Sequence, residues 1–292
     1  MTLKITEHNV ITIQQAINEG RTELTNHATE TIIHPQNEAL LLLQHACDKS
    51  KEFLIAHSDE TLNTNTHQLF QAYIARRITG EPIAYITQEK EFWSLSLKVE
   101  PGILIPRPET ELLVEAALAA TNKTDINILE LGTGSGCIAL ALAKQLPKAS
   151  IIATDISQQC LDLAQHNALN HDCPHIQFIN SHWFENIAQH DFDLIISNPP
   201  YISTDDKNIA QTVHDFEPHT ALFSNNDGLA DLHHIIQYAP EYLIAGGTLL
   251  LEHGFQQAQA VYAQFEKFGY NNIHTTQDMQ QHERVTQGKF IH

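Results

Sequence analysis

The chain has 292 residues, 42% hydrophobic and 17% charged, which excludes a disordered composition and suits one large domain or two unequal ones. Sixteen Lys and Arg stand against 35 Asp and Glu, a formal net charge of −19 that opposes a phosphate backbone and favours a basic protein partner over nucleic acid. The longest apolar run, Cys137 to Ala143, falls far short of the roughly 20 residues that span a bilayer, and the first eight residues carry no secretory-signal pattern, so a cytoplasmic protein without a membrane partner is expected.

From about Thr12 to about Gly80 the pattern predicts helices. Ile13, Ala16 and Ile17 repeat at helical spacing, Ala39 to Leu43 follow Asn37-Glu38, and Leu69 to Ile78 end at Gly80. Residues 1–80 are therefore expected to form a small helical bundle. Pro82, Phe92-Trp93 and the alternating Leu95, Leu97 and Val99 before Pro101-Gly102 predict a hairpin-like connector over 81–108, followed by a larger domain over 109–292.

From about Asn127 apolar strands alternate with helical stretches: Ile128 to Leu131, Cys137 to Leu146, Ile151 to Thr154, Cys160 to Asn170 and Ile176 to Ile179. Phe192 to Ser197 and Gly247 to Glu252 predict later strands. Such alternation implies an α/β fold, a doubly wound parallel sheet with helices on both faces. Cys47, Cys137, Cys160 and Cys173 form no C-x-x-C pair, and the 19 His fall in no recognised ligand spacing, so packing thiols and no metal site are expected.

The first chemical motif is Gly132-Thr133-Gly134-Ser135-Gly136, placed between the strand Ile128 to Leu131 and the helix from Cys137. Its glycines permit unusual backbone angles and let a ligand approach the main chain. The G-x-G-x-G spacing is neither G-x-G-x-x-G nor a phosphate-binding loop with its lysine. Asp155, at the end of the next strand, stands where an acidic side chain takes ribose hydroxyls, which suits an adenosine-bearing cofactor. Residue by residue, the turn also suits a tight strand–helix connection and Asp155 a helix cap.

The second motif, Asn198-Pro199-Pro200-Tyr201, directly follows the strand Phe192 to Ser197. Strand carboxyl ends form the ligand crevice of such a sheet, so both motifs should share a pocket. The Asn198 amide oxygen and the Pro199 carbonyl can each accept one N–H of a planar NH2 group. The prolines stiffen the loop, and Tyr201 offers a flat face to a planar amide or base. A rigid Asn-initiated turn is the alternative reading.

These motifs resemble the Asn-Pro-Pro-Tyr class of S-adenosylmethionine-dependent methyltransferases, whose fold is a seven-stranded Rossmann-like sheet. Gly80-Glu81-Pro82-Ile83-Ala84-Tyr85-Ile86, Glu91-Phe92-Trp93-Ser94-Leu95, Leu104-Ile105-Pro106-Arg107-Pro108-Glu109-Thr110-Glu111, Phe216-Glu217-Pro218-His219-Thr220-Ala221-Leu222 and Leu251-Glu252-His253-Gly254 resemble, more narrowly, the peptide chain release factor glutamine N5-methyltransferase family. His182 before the tryptophan and Glu109 in place of the more usual Asp are mild departures.

The resemblance implies that Gly132, Thr133, Gly134, Ser135, Gly136, Asp155, Trp183 and Asn198 contact S-adenosylmethionine, with S-adenosylhomocysteine as product. It implies that Asn198, Pro199, Pro200 and Tyr201 hold the substrate glutamine of a Gly-Gly-Gln loop, with Asn198 and Pro199 central to catalysis. From its residue type alone Trp183 is equally a core aromatic, and Arg107 either lines the cofactor pocket or caps a helix. The implied partners are bacterial class I release factors, helped into place by the N-terminal bundle, and a monomer is expected. Transfer to an adenine N6 or to a ribosomal-protein glutamine would use the same clamp; the acidic balance disfavours the first.

Overall fold

The computed structural model describes residues 11–27, 32–206 and 209–291; the opening residues read above for a secretory signal lie outside them. The chain forms two compact units, one of residues 1–88 with 210–216 and one of 89–209 with 217–292.

The first unit is helical: α1 (Ile13–Asn26), α2 (Pro35–Cys47), α3 (Lys51–Ala56), α4 (Thr64–Ile78) and α5 (Ile83–Thr87). Thr12 and Gln15 start α1 with a reciprocal capping box, and Asn63 caps α4 by accepting from the Thr66 N–H at 2.9 Å. Ile13, Ala16, Ile17 and Leu24 bury one stripe of α1 against Leu42, Leu43 and Phe70. Arg77, 5% exposed, donates from Nε to Glu38 Oε2 at 2.7 Å, tying α4 to α2. Gly80 ends this run with φ +93, and a Cβ there would lie 2.9 Å from Thr212 Cγ2 of the later segment that completes the unit.

The second unit opens with an antiparallel hairpin, β1 (Glu89–Phe92) and β2 (Leu95–Lys98), then α6 (Glu111–Ala119). The part of the expected connector over Ile83–Thr87 is thus helix, and the hairpin begins at Glu89. Next come β3 (Asn127–Leu131), α7 (Cys137–Gln145), β4 (Ser150–Asp155), α8 (Gln158–Asn170), β5 (Gln177–Asn180), β6 (Phe192–Ser197) and the two-residue β7 (Ile202–Ser203). After α9 (Gln211–Phe216), which belongs to the first unit, the chain continues through α10 (His219–Leu222), β8 (Phe223–Ser224) and the single turn α11 (Asn225–Gly228). It ends with α12 (Ala230–Tyr238), β9 (Leu243–Glu252), α13 (Ala258–Lys267), β10 (Tyr270–Gln277) and β11 (Glu283–Phe290).

Among the described residues the large sheet has seven strands in the order β10-β11-β9-β6-β3-β4-β5. β3, β4, β5, β6 and β9 run parallel, while β11 is antiparallel to both β9 and β10. This is the doubly wound α/β fold expected from the sequence. The inner parallel strands β3, β4 and β6 are buried on both faces, while β5 lies half exposed at the sheet edge; Ile128 packs in one core cluster with Leu113, Ile138 and Leu142, and Leu129 and Leu131 in the other with Leu232, Ile235 and Phe265. Fully burying such a side chain contributes about 1.5–3 kcal/mol. From β3 the chain winds outward through β4 and β5, then returns to β6 on the opposite side, so the carboxyl ends of β3 and β6 open a crevice.

Candidate active site

The glycine turn leaves β3 into that crevice. Gly132, Gly134 and Gly136 all have positive φ, at 74°, 54° and 84°, angles that side chains rarely adopt. The Thr133 N–H donates to the Thr154 carbonyl at 2.8 Å, fixing the turn to β4. A Cβ on Gly136 would meet Ala164 Cα at 3.2 Å, whereas one on Gly134 would meet nothing within 4 Å. Gly136 is therefore required by packing, and Gly134 faces open space into which a ligand can come.

Beneath the turn lies Glu130, a carboxyl with no exposure in the middle of β3. Its Oε2 accepts from Thr133 Oγ1 at 2.7 Å and from the Ala139 N–H at 3.1 Å, joining turn and helix α7. Burial pushes this carboxyl up to about 8. Sequence reading passed over it, although an acid inside an otherwise apolar strand was the available signal.

Asp155 ends β4. Its Oδ2 accepts from the Gly134 N–H and its Oδ1 from the Ser157 N–H, both at 2.9 Å. Burial raises its pKa despite these donors. The cap of α8 is Ser157, which accepts from the Cys160 N–H, so Asp155 does not serve as that cap. Next to it Ile156 is 63% exposed, an apolar side chain on the lip of the crevice. Trp183 has φ 49°, and its ring edge lies 3.8 Å from the Cβ position of Gly132. Trp183 also packs against the core cluster that holds Leu129, Leu131 and Phe192, so it serves core and crevice together.

The glycine turn, Asp155, Ile156 and Trp183 converge on one cleft of about 390 Å³, within the range typical of small-molecule sites, with Glu130 buried behind it. Thr133, Ser135, Asn198, Pro199 and Pro200 line it as well. Ser197, the last residue of β6, donates from Oγ to the Leu131 carbonyl at 2.7 Å and so locks the two motif-bearing strand ends together. Asn198 Nδ2 donates to Thr110 Oγ1 at 3.1 Å, which leaves the amide oxygen for the cleft. Tyr201 is not among the lining residues. Its hydroxyl donates to Glu252 Oε1 at 3.1 Å, its carbonyl accepts from Gln257 Nε2 at 2.9 Å, and its ring packs against the core. Burial, with Glu252 beside it, raises the Tyr201 pKa.

The sequence left Arg107 open between lining the pocket and capping a helix, and gave no role to Glu252. Arg107 lines the cleft and donates from Nη2 to Glu217, whose side chain is 2% exposed. Glu252, 1% exposed, ends β9 behind Tyr201, and burial pushes it up to about 7. Among the described residues Cys137, Cys160 and Cys173 are buried thiols that burial raises in pKa, and no cluster of His, Cys, Asp and Glu could hold a metal ion. Nor, among them, is any helix long and apolar enough to cross a membrane.

Residues 108–276 match the family described as Methyltransferase small domain, and residues 15–87 match the PrmC N-terminal domain. The chain is 43% identical over 88% of its length to a release factor glutamine methyltransferase of Aliivibrio fischeri, covering 91% of that protein. It is 44% identical to the release factor glutamine methyltransferase of Escherichia coli strain K12, over 88% of this chain and 92% of the other. A methyltransferase from Pyrococcus furiosus of known structure superposes with a TM-score of 0.52 at 19% identity, covering 75% of this chain and 96% of that one, which speaks to the fold.

Proposed function

The chain belongs to the release factor glutamine methyltransferase family, and from that premise we propose that it transfers the methyl group of S-adenosylmethionine to the side-chain nitrogen N5 of the glutamine in the Gly-Gly-Gln loop of class I release factors. It is an enzyme, a protein-glutamine methyltransferase. We place it in the cytoplasm, where release factors work, and take it to act as a monomer.

The cleft suits an adenosyl sulfonium ligand on its own geometry. Gly134 presents backbone with no side chain in the way, the Asp155 carboxylate faces the same space, and Ile156 and Trp183 offer apolar surface to a flat base. Gly132 to Gly136, Asp155, Trp183 and Asn198 would hold the cofactor. When bound it supplies a methyl group activated by the positive sulfur.

What the protein supplies is position and acceptor oxygens. A carboxamide nitrogen is a weak nucleophile, because its lone pair is delocalised into the carbonyl. The Asn198 amide oxygen and the Pro199 carbonyl accept its two N–H bonds and hold the nitrogen toward the methyl donor. The same oxygens stabilise the positive charge that develops on nitrogen during transfer. Pro199 and Pro200 keep the loop from relaxing, and Tyr201, anchored through its hydroxyl and carbonyl, fixes the end of the loop from behind the cleft. The surplus proton leaves afterwards, so no dedicated base is needed.

The single observation that supports this reading is the Asn198 amide held from behind by Thr110 with its oxygen left for the cleft. The test is incubation with S-adenosylmethionine and unmodified release factor, followed by peptide mass spectrometry, with a Gln→Ala Gly-Gly-Gln loop as control. One added methyl on that glutamine, absent from the control, supports the proposal. Transfer to RNA or to a ribosomal protein instead would discard the substrate.

A further inference from the structure

The loop that carries Asn198 and Pro199 is held at both ends. At its start Ser197 Oγ donates to the Leu131 carbonyl, and at its end the Tyr201 carbonyl accepts from Gln257 Nε2 at 2.9 Å. The same Nε2 donates to the Asp227 carbonyl at 3.1 Å, and Gln257 Oε1 accepts from the Gly254 N–H at 2.9 Å. All three partners are main-chain groups of fixed polarity, two carbonyls that only accept and an N–H that only donates. The Gln257 amide therefore satisfies them in one orientation alone.

Its surroundings are shaped to this contact. Gly254, just after β9, is itself fixed, because its carbonyl accepts from the Gln257 N–H at 2.8 Å and from His253 Nδ1 at 3.0 Å. Gln257 directly precedes α13, which is rooted in the core by Ala258, Val261 and Phe265. On the other side, a Cβ on Gly228 would lie 2.1 Å from the Tyr201 oxygen and 2.8 Å from Gln257 Nε2, so only glycine lets the turn α11 close on the loop. Asn226 and Asp227 ahead of it both have positive φ, 54° and 55°, angles that persist only where the surroundings impose them.

We infer that Gln257 is a positioning residue for methyl transfer, its one amide clasping the substrate loop, the turn α11 and the loop after β9 so as to set where the Asn198 and Pro199 oxygens stand. This rests on the methyl-transfer reading above. Gln257 is not among the residues lining the cleft and acts through the chain. Pro199 and Pro200 have ring-locked φ, so a shift at Tyr201 passes back to the two acceptor oxygens instead of being absorbed on the way. The bond from the Tyr201 hydroxyl to Glu252 restrains the ring, but without Gln257 the Tyr201 carbonyl can swing.

Two measurements test this, the first independent of methylation. Hydrogen exchange of the intact protein, read by mass spectrometry, should be faster in Gln257→Met than in wild type for peptides spanning residues 201–203, with peptides of β3 and β4 unchanged. Equal exchange around Tyr201 would overturn the inference.

The second is steady-state methylation of release factor by variants first shown to be folded by their unfolding midpoints. Gln257→Met should lower kcat by about 10²-fold, the scale of a reactant misplaced by about 1 Å. The cofactor KM should change far less, since the glycine turn and Asp155 are untouched. Gln257→Glu supplies a signature that a purely structural role would not. Ionised, it keeps an acceptor for Gly254 but has no hydrogen for either carbonyl; protonated, it can donate to Tyr201. Its rate relative to wild type should climb as pH falls from about 8 to about 5.5, while the Gln257→Met ratio stays flat. The titratable and charged groups around the clasp, Glu252 and His253 at the end of β9, Asp227 in α11, Tyr201 and Arg284 on β11, are common to all three chains and cancel in these ratios. A Gln257→Met kcat equal to wild type, or parallel pH profiles for the two variants, would also overturn the inference. Absence of methylation by the wild-type enzyme, with the exchange difference present, would instead strike the substrate reading.

Discussion

The Gly134 N–H donates to Asp155 Oδ2 at 2.9 Å, so the glycine turn after β3 and the acid at the end of β4 form one braced element. Removing the carboxylate should loosen the turn and strip its acceptor for ribose hydroxyls at once. Asp155→Ala is expected to weaken S-adenosylmethionine binding by about 10–100-fold, the equivalent of one or two charge-assisted hydrogen bonds. Calorimetric titration of the cofactor measures this, and an unchanged affinity would remove Asp155 from the site.

Within the turn, two glycines should fail for different reasons. Gly136→Ala drives a Cβ to 3.2 Å from Ala164 Cα at a positive φ, so the unfolding midpoint should fall, by about 1–3 kcal/mol of stability. Gly134→Ala meets nothing within 4 Å and should cost about 1 kcal/mol for its backbone angle, while cofactor binding is lost because the methyl group stands in ligand space. Chemical denaturation alongside cofactor titration separates the two.

Asn198→Ala is expected to lower methyl transfer by about 10²–10³-fold, the scale of one missing stabilising group at a developing charge. Cofactor binding should weaken yet stay measurable, since the turn and Asp155 are untouched. Rapid-quench single turnovers give the rate, and unaltered turnover would refute the clamp.

Arg107 and Glu217 differ in exposure, 34% against 2%, so Arg107→Ala leaves a dry carboxylate without its cation. A loss of about 1–3 kcal/mol is expected, with Arg107→Lys restoring only part, because an ammonium cannot reproduce the guanidinium fork. Adding Glu217→Gln to Arg107→Ala should recover stability in urea unfolding. No recovery would mean the pair is not what Arg107→Ala breaks.

Glu130 sets a pH dependence of stability. Its folded pKa is raised from the ordinary 4.5 to about 8, so the folded state holds this proton more tightly than the unfolded chain. Stability should therefore fall as pH rises from about 5 through 8. Glu130→Gln keeps an acceptor for Thr133 and Ala139 while removing the titration. Its unfolding midpoint should decline less over that range than the wild-type midpoint, and parallel curves would count against the buried charge.

The parallel part of the sheet was legible because β3, β4 and β6 are buried on both faces and read as apolar runs between helical stretches. The edge was not. β10, Tyr270–Gln277, carries Asn271, Asn272, His274, Thr275 and Thr276, polar residues suited to a half-exposed edge strand, and its sequence gives little apolar alternation. In the site, the turn and the Asn-Pro-Pro-Tyr loop announced themselves through glycines and prolines, which force backbone geometry locally. Glu130, Thr110 and Glu252 did not, since each acts through a partner brought near only by the fold, such as Thr110 to Asn198 across 88 positions.

The helical unit is not a continuous stretch of chain, because residues 210–216 complete it, with Thr212 seated at Gly80. During synthesis, then, this helical unit is missing a piece until most of the methyltransferase sheet has been made, a delay of roughly ten seconds at bacterial elongation rates. The earliest helices must persist in that interval without α9, and a fragment cut after Gln88 would never acquire it.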